Sequence, residues 1–232
     1  MEISVIIPTH NESARIGGTL RRLEPFLKKR RGSWEILVVD DGTDATAAIA
    51  RKFAKTRVLH YPRRLGKGGA VMEGLRKARG RVVLLYDADA AAPASEIPKL
   101  LAALGGSDVA IGCRYCRGAK AEMSALRRLI GTGFNLLVRF LFCLPFEDTQ
   151  CGFKAAKRAS IAPILAGVTE KGFVWDVDFL YACKNAGLRV AQVPIRWRQV
   201  EGGPAASGGA LGVLGTATRM FRDLLALRLS RF

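Results

Sequence analysis

Val82-Val83-Leu84-Leu85-Tyr86 runs without a break in apolar and aromatic character and then stops at Asp87-Ala88-Asp89. Such a run, ended abruptly by two carboxylates, constrains the chain to a strand buried on both faces that delivers charge to one edge of a sheet. Leu84 to Tyr86 belong in the core. Asp87 and Asp89, two positions apart, point to the same side at the strand's carboxyl end, where open α/β sheets place their ligands. Two hard oxygen donors at this spacing suit Mg2+ or Mn2+ sharing its other positions with ligand phosphates. The same residues also read as a turn that caps a helix starting near Ala94, since Asp is common in both settings.

The flanking sequence repeats the arrangement. Ile3 to Pro8, Trp34 to Val39, Val58 to His60 and Ser107 to Gly112 read as further strands. Between them lie helical patterns over residues 14–29, from near Asp44, and over residues 70–78. Asn11 or Ser13 is placed to cap the first helix, and Thr43 or Asp44 the second. This alternation predicts an α/β fold, a mostly parallel Rossmann-like sheet with helices on both faces. Several strands end in polar residues, at Thr9-His10-Asn11-Glu12, at Asp40-Asp41-Gly42 and at Cys113-Arg114-Tyr115.

The loop Arg63 to Ala70 contains Gly66-Lys67-Gly68-Gly69 but lacks the spacing of a Walker phosphate loop, and the first unit lacks a dinucleotide fingerprint. A glycine-rich, lysine-bearing turn that opens a helix can still offer N–H groups and charge to an anion, or be a flexible turn with an exposed lysine.

The 232 residues fit a single large α/β domain. Lys and Arg number 37 against 20 acids, and the net charge of +17 points to anionic partners: nucleotide phosphates, an acidic membrane surface or nucleic acid. Nucleic acid is the weakest of these, because the chain carries no recognised binding motif and few aromatics among its basic residues. Five cysteines without a secretory leader read as reduced thiols, and a lone C-x-x-C with His only at positions 10 and 60 disfavours structural zinc. No uncharged apolar run reaches the ~18 residues of a membrane span, so contact with a membrane would be peripheral.

Two later segments are amphipathic. Leu126, Leu129, Ile130, Gly133, Phe134, Leu137, Phe140 and Leu141 share one helical face, with Arg128, Thr132, Asn135 and Arg139 on the other. Such a helix either faces the core or lies in the lipid headgroup layer. After a Gly-, Ala-, Ser- and Pro-rich stretch over residues 202–209, which reads as a mobile loop, Met220, Phe221, Leu224 and Leu225 oppose Arg219, Arg222 and Asp223. Arg228 and Arg231 would have to snorkel if that apolar side entered lipid.

Taken in order, Ile7-Pro8-Thr9-His10-Asn11-Glu12, Val39-Asp40-Asp41-Gly42, Gly66-Lys67-Gly68-Gly69-Ala70, Asp87-Ala88-Asp89, Gly112-Cys113-Arg114-Tyr115 and Asp148-Thr149-Gln150-Cys151-Gly152-Phe153-Lys154 resemble the GT-A glycosyltransferases of family 2. Within it they are most similar to the dolichyl-phosphate hexose synthases, the glucose branch above the mannose branch. The resemblance implies one GT-A catalytic domain over residues 1–232: a nucleotide-binding half over 1–115, an acceptor half over 116–200, and the loop and amphipathic helix over 201–232. It implies transfer of a hexose, with inversion, from UDP-glucose or GDP-mannose to dolichyl or polyprenyl phosphate.

By the same resemblance Pro8, Thr9, Asn11, Glu12, Asp40, Lys67 and Asp87 would hold the donor nucleotide. Asp87 and Asp89 would hold Mg2+ or Mn2+, and Asp89, Asp148, Arg114 and Arg128 would form the catalytic set. Arg114, Arg127 and Arg128 would receive the acceptor phosphate. Asp148 stands where relatives with saccharide acceptors keep a base, and an enzyme of that kind is the main alternative; a basic nucleic-acid-binding protein is the second. Two departures stand out: His10 replaces a frequent Tyr, and Ala91 replaces a polar residue of the mannose branch that helps to hold metal. Many relatives carry transmembrane helices after the catalytic domain, so this chain is expected at the cytoplasmic face of the membrane, peripheral or with a membrane-protein partner.

Overall fold

The computed structural model of the chain describes residues 1–200 and 209–231. In order, the elements are β1 (Ile3–Thr9), α1 (Ser13–Lys28), β2 (Trp34–Asp40), α2 (Thr46–Ala50), β3 (Thr56–His60), α3 (Gly66–Lys77), β4 (Val82–Leu85), α4 (Ile97–Ala103) and β5 (Val109–Cys113). There follow β6 (Lys120–Glu122), α5 (Ala125–Phe142), β7 (Lys154–Lys157), α6 (Arg158–Ile161), α7 (Trp175–Asn185), β8 (Val190–Pro194), β9 (Arg196–Arg198) and α8 (Gly209–Arg231).

Seven strands form one sheet in the order β3-β2-β1-β4-β7-β5-β8, and β6 pairs with β9 in a small second sheet. All pairings in the large sheet are parallel except those of β7, which runs antiparallel to both β4 and β5. The apolar runs alternate strictly across the sheet. Val5, Ile7, Ile36, Val38 and Leu84 pack beneath α1 and α4, while Ile6, Leu37, Val39, Val83 and Leu85 pack against α3 and α7. A continuous apolar strand is therefore what a sheet covered on both faces requires.

The register aligns the carboxyl ends. Thr9 pairs with Asp40 at the ends of β1 and β2, Ile6 pairs with Leu85, and the Tyr86 N–H donates to the Ile6 carbonyl at 2.9 Å. Asp87 and Asp89 thus leave the sheet beside Thr9 and Asp40.

Three expectations change. Cys113 and Cys116 are joined by a disulfide, leaving Cys143, Cys151 and Cys183 free. The turn that ends β5 brings their Cα atoms to 5.6 Å, well within bridging distance. In α5 the apolar face is divided: Val138 and Phe142 are buried with Asn135, and Phe134, Leu137 and Leu141 pack partly on the core, while Leu129 is 72% and Phe140 80% exposed. In α8, Leu224 and Leu227 are buried and Phe221, Leu225 and Leu229 exposed, but Arg231 does not reach outward. Its guanidinium donates to the buried Asp178 carboxylate at 2.5 Å and to the Gly167 carbonyl, which ties the end of α8 to the body. The stretch read as a mobile loop, 202–209, lies outside the described residues except for Gly209. Among the described residues, no helix is long and apolar enough to cross a membrane.

Candidate active site

The Asp87-Ala88-Asp89 segment is held from two sides. The buried Thr19 hydroxyl of α1 donates to the Ala88 carbonyl at 2.6 Å, and the Tyr86 hydroxyl donates to the Ala92 carbonyl at 2.7 Å. Asp89 Oδ1 accepts the Ala91 N–H at 3.0 Å, and Ala90 between them adopts φ 52°. An alanine in the left-handed region is strained by roughly 1–2 kcal/mol, and strain of this kind collects where geometry is fixed for ligands. Ala91 offers no ligand atom; its carbonyl accepts from Arg198 N–H at 2.9 Å, linking the segment to β9.

Burial, and then the neighbouring Asp87 and Glu12 charges, raise the pKa of Asp89. The segment is therefore short of positive charge. Among the described residues no third Cys, His, Asp or Glu completes a ligand set around these two carboxylates. Two carboxylates with open positions fit a hard divalent cation that takes its other ligands from phosphate and water.

Asp87 is set by its neighbours. Lys67 Nζ lies 3.4 Å from Asp87 Oδ1 and 3.9 Å from Asp176 Oδ2, and Asp176 Oδ1 receives the buried Lys154 Nζ at 2.7 Å. Asp176, at the start of α7, thus bridges two lysines, a role its sequence context did not reveal. Gly152 packs so closely on Asp87 that a Cβ would come within 2.5 Å of its carboxylate.

The loop Gly66 to Ala70 is neither a phosphate cradle nor a flexible turn. The N–H groups of Leu65 and Gly66 donate to Asp41 Oδ2 at 2.6 and 2.9 Å, and those of Gly68 and Gly69 donate to the carbonyls of Gly172 and Lys171 at 3.2 Å each. A Cβ at Gly68 would stand 2.6 Å from the Trp175 Cβ and 2.7 Å from the Glu170 carbonyl oxygen. The glycines let the 170–175 segment pack on α3, and what remains for a ligand is the Lys67 charge.

Pro8, Thr9, Asn11, Glu12 and Asp40 gather at the ends of β1 and β2. Asp40 is fully buried; its oxygens receive the Thr9 hydroxyl and His60 Nδ1, both at 2.9 Å. Asn11, at φ 55°, does not cap α1 but accepts the Thr43 N–H at 2.9 Å, shaping the loop after β2. Asp44 serves both helices, accepting the Ser13 N–H of α1 at 3.0 Å and, as expected of it, the Thr46 N–H of α2 at 2.9 Å. His10 Nδ1 lies 2.9 Å from Asp41 Oδ1, with Arg64 on its other nitrogen. Glu12 is paired with Arg15 at 2.5 Å, and Arg15 also feels the Asp89 charge, which adds Arg15 to this corner.

On the opposite side of Asp89 stand the arginines. Arg114 and Asp148 form a buried pair: the Arg114 backbone N–H and Nε donate to Oδ2 at 2.9 and 2.7 Å, and Nη2 donates to Oδ1 at 2.8 Å. Asp148 Oδ1 also accepts the Gln150 N–H at 3.3 Å. Burial alone would raise the Asp148 pKa, but the Arg114 charge and hydrogen bonds overcome it and hold the carboxyl below its usual range. Arg127 reaches the Trp197 ring from one side and Arg114 from another, each 5.4 Å from the centroid. Burial and the Arg114 charge lower the Arg127 pKa, opposed in part by Asp89. No carboxylate among the described residues pairs with Arg127. Arg128 donates to the Ala121 carbonyl at 3.0 Å, and its charge, like those of Arg114 and Arg127, acts on Tyr115. Of the three arginines expected at an acceptor phosphate, Arg114 is committed to Asp148, while neither Arg127 nor Arg128 has a carboxylate partner among the described residues, and Arg127 is the more buried of these two.

A family model described as glycosyl transferase family 2 matches residues 4–162. The dolichyl-phosphate beta-glucosyltransferase of Saccharomyces cerevisiae is 33% identical over 98% of this chain and 74% of its own length, and that of Homo sapiens 30% identical over 98% and 75%. The crystal structure of glucosyl-3-phosphoglycerate synthase from Mycobacterium tuberculosis with Mn2+, UDP and glucosyl-3-phosphoglycerate superposes with a TM-score of 0.73 at 22% identity, covering 98% of this chain and 79% of that one. It shares the fold of this chain. On the family match and on the relatives that span nearly all of it, the chain belongs to glycosyl transferase family 2.

Proposed function

We propose that the chain transfers glucose from UDP-glucose to dolichyl or another polyprenyl phosphate, with a divalent cation at Asp87 and Asp89, while docked peripherally on a membrane. One observation carries the reading. Arg127, a half-buried arginine with no carboxylate partner among the described residues, stands within electrostatic reach of Asp89 at the head of a helix whose apolar side faces outward.

Inverting transfer forms a bond from an acceptor oxygen to the sugar's anomeric carbon as the bond to the nucleoside diphosphate breaks. A sugar hydroxyl needs a base to lose its proton. A phosphate monoester, with a second pKa of about 6, is already largely dianionic at neutral pH and needs positive charge to approach an anionic donor. The contacts of Asp148 favour the second case. Asp148, with three donor groups from Arg114 and one N–H from Gln150 on its oxygens, is poorly placed to take a proton. Arg127 holds the acceptor phosphate, and the Arg114–Asp148 pair shapes the pocket for the hexose. Thr9, Asn11, Glu12 and Asp40 form the nucleotide side, with Lys67 fixing Asp87. A bound Mg2+ or Mn2+ supplies charge to the leaving diphosphate. The names of the relatives from yeast and human support transfer of glucose and the lipid acceptor.

The test is release of nucleoside diphosphate from UDP-glucose and from GDP-mannose, with Mn2+ and a short polyprenyl phosphate, each component omitted in turn. Release from UDP-glucose that requires both metal and lipid phosphate is expected. Preference for GDP-mannose would move the donor assignment, and release that ignores lipid phosphate but responds to a saccharide would overturn the acceptor.

A further inference from the structure

Helix α5 presents one stripe inward at four-residue intervals: Arg127, Gly131 and Asn135. Arg127 lies over Trp197. Tyr115 Oη occupies the space in which a side chain at Gly131 would stand, 2.3 Å from its Cβ position. Asn135, 4% exposed, meets the loop that carries Asp148.

The Asn135 contacts are complete and directional. Its Nδ2 donates to the Gly131 carbonyl at 2.9 Å, and its Oδ1 accepts both the Thr149 N–H at 2.8 Å and the Thr149 hydroxyl at 2.7 Å. A backbone N–H can only donate, so the amide can take only this orientation. Thr149 is itself fully buried and directly follows Asp148. A polar residue on the buried side of a helix otherwise held by Val138 and Phe142 contributes direction, which apolar packing lacks.

We propose that Asn135 is a positioning residue of the transfer reaction: by gripping Thr149 it fixes α5 against the Asp148 loop and so sets both arginines, Arg114 through its partner Asp148 and Arg127 through the helix itself. This rests on reading that corner as the acceptor site. Asn135 touches neither substrate nor any reacting atom.

The experiment compares Thr149→Ser, which keeps both bonds to Asn135, with Thr149→Val, which loses the hydroxyl bond, and with Asn135→Leu, which loses both. Val138→Ala, a cavity on the same buried side of α5, is the control for destabilisation alone. Two readouts are taken: kcat and donor KM for transfer, and hydrogen-exchange protection of the Arg114 Nε–H by 15N NMR. Thr149→Ser is expected to match the wild type. Thr149→Val should lose about tenfold and Asn135→Leu about 100-fold in kcat, with donor KM within about twofold, and both should lose Nε–H protection by at least about tenfold relative to Val138→Ala. Should Asn135→Leu fail to fold, Thr149→Val carries the comparison. Protection and kcat in Thr149→Val that equal those of Val138→Ala would overturn the proposal. If the wild-type chain transfers nothing to polyprenyl phosphate, the acceptor reading fails, yet the Nε–H protection ratio still decides whether Asn135 sets the arginine pair.

Discussion

Gly152 leaves the Asp87 carboxylate its place, since a methyl group there would stand 2.5 Å from a carboxylate oxygen. The atom in the way is the end of a short side chain and can swing aside, so Gly152→Ala is expected to keep the fold while moving the carboxylate proposed to hold the metal. We expect about a 100-fold loss of turnover with little change in Tm, read by coupled transfer assay and thermal melts. The Arg114–Asp148 pair behaves differently because both partners are buried. Asp148→Asn leaves a buried guanidinium uncompensated and should destabilise by about 3–5 kcal/mol, whereas replacing both partners by apolar residues should cost much less. Urea unfolding of the two singles and the double measures this. Because the folded Asp148 carboxyl sits below its usual range, the unfolded chain binds its proton first. The pair's contribution is therefore full above the ordinary carboxylate range and is lost as pH falls through the depressed value, and the double variant should lack that acid dependence. The Asp87 and Asp89 pair was legible in the sequence because the apolar run that ends at the two acids marks a strand's carboxyl end, although the pair itself lies in the turn after β4, which ends at Leu85. The Arg114–Asp148 pair was not, because its members lie 34 residues apart and only the insertion of β7 brings their strands' ends together.

Helix α5 is amphipathic in the sequence, but amphipathicity names two faces without saying which one the protein covers. Asn135 decides it: once its amide is bound to Thr149, Leu129, Leu136 and Phe140 have nowhere to go but outward. Beside it, α8 likewise leaves Phe221, Leu225 and Leu229 exposed. If this surface meets lipid, Leu129→Glu with Phe140→Glu removes two insertions worth about 1.5–3 kcal/mol each. Cosedimentation with vesicles containing anionic lipid should fall at least tenfold, while release of nucleotide by metal-dependent donor hydrolysis stays near its wild-type rate. Unchanged binding would mean that another surface meets the membrane. Other elements show where pattern reading ends. The Gly66 to Gly69 run looks like an anion loop by composition, yet its N–H groups are taken by Asp41 and by the 171–172 carbonyls, partners no local pattern announces. Strand β7, Lys154-Ala-Ala-Lys157, has no apolar run at all, and its place is fixed by pairing on both edges.

For the molecule as a whole, the alternation of strands and helices was sufficient to predict a mostly parallel sheet with helices on both faces, because parallel neighbours need a crossover connection. The surplus of positive charge would also have a use at this scale if the proposed membrane docking holds. Lys and Arg near an anionic bilayer contribute about 1 kcal/mol each, in addition to the apolar faces of α5 and α8. What no stretch of the first 115 residues reveals is that the sheet they build is incomplete. Strand β7 lies between β4 and β5 and hydrogen-bonds to both. During synthesis from the amino terminus, at roughly 5–20 residues per second, β4 is finished about 70 and β5 about 40 residues before the strand that joins them; β4 waits with one open edge and β5 with both, since its other neighbour, β8, comes later still. For those seconds the nascent chain holds two unpaired apolar strands, the kind of template on which neighbouring chains aggregate. The interval between ribosome exit of Cys113 and of Lys157 is therefore the window in which a chaperone, or slow translation, matters most to whether this enzyme is made at all.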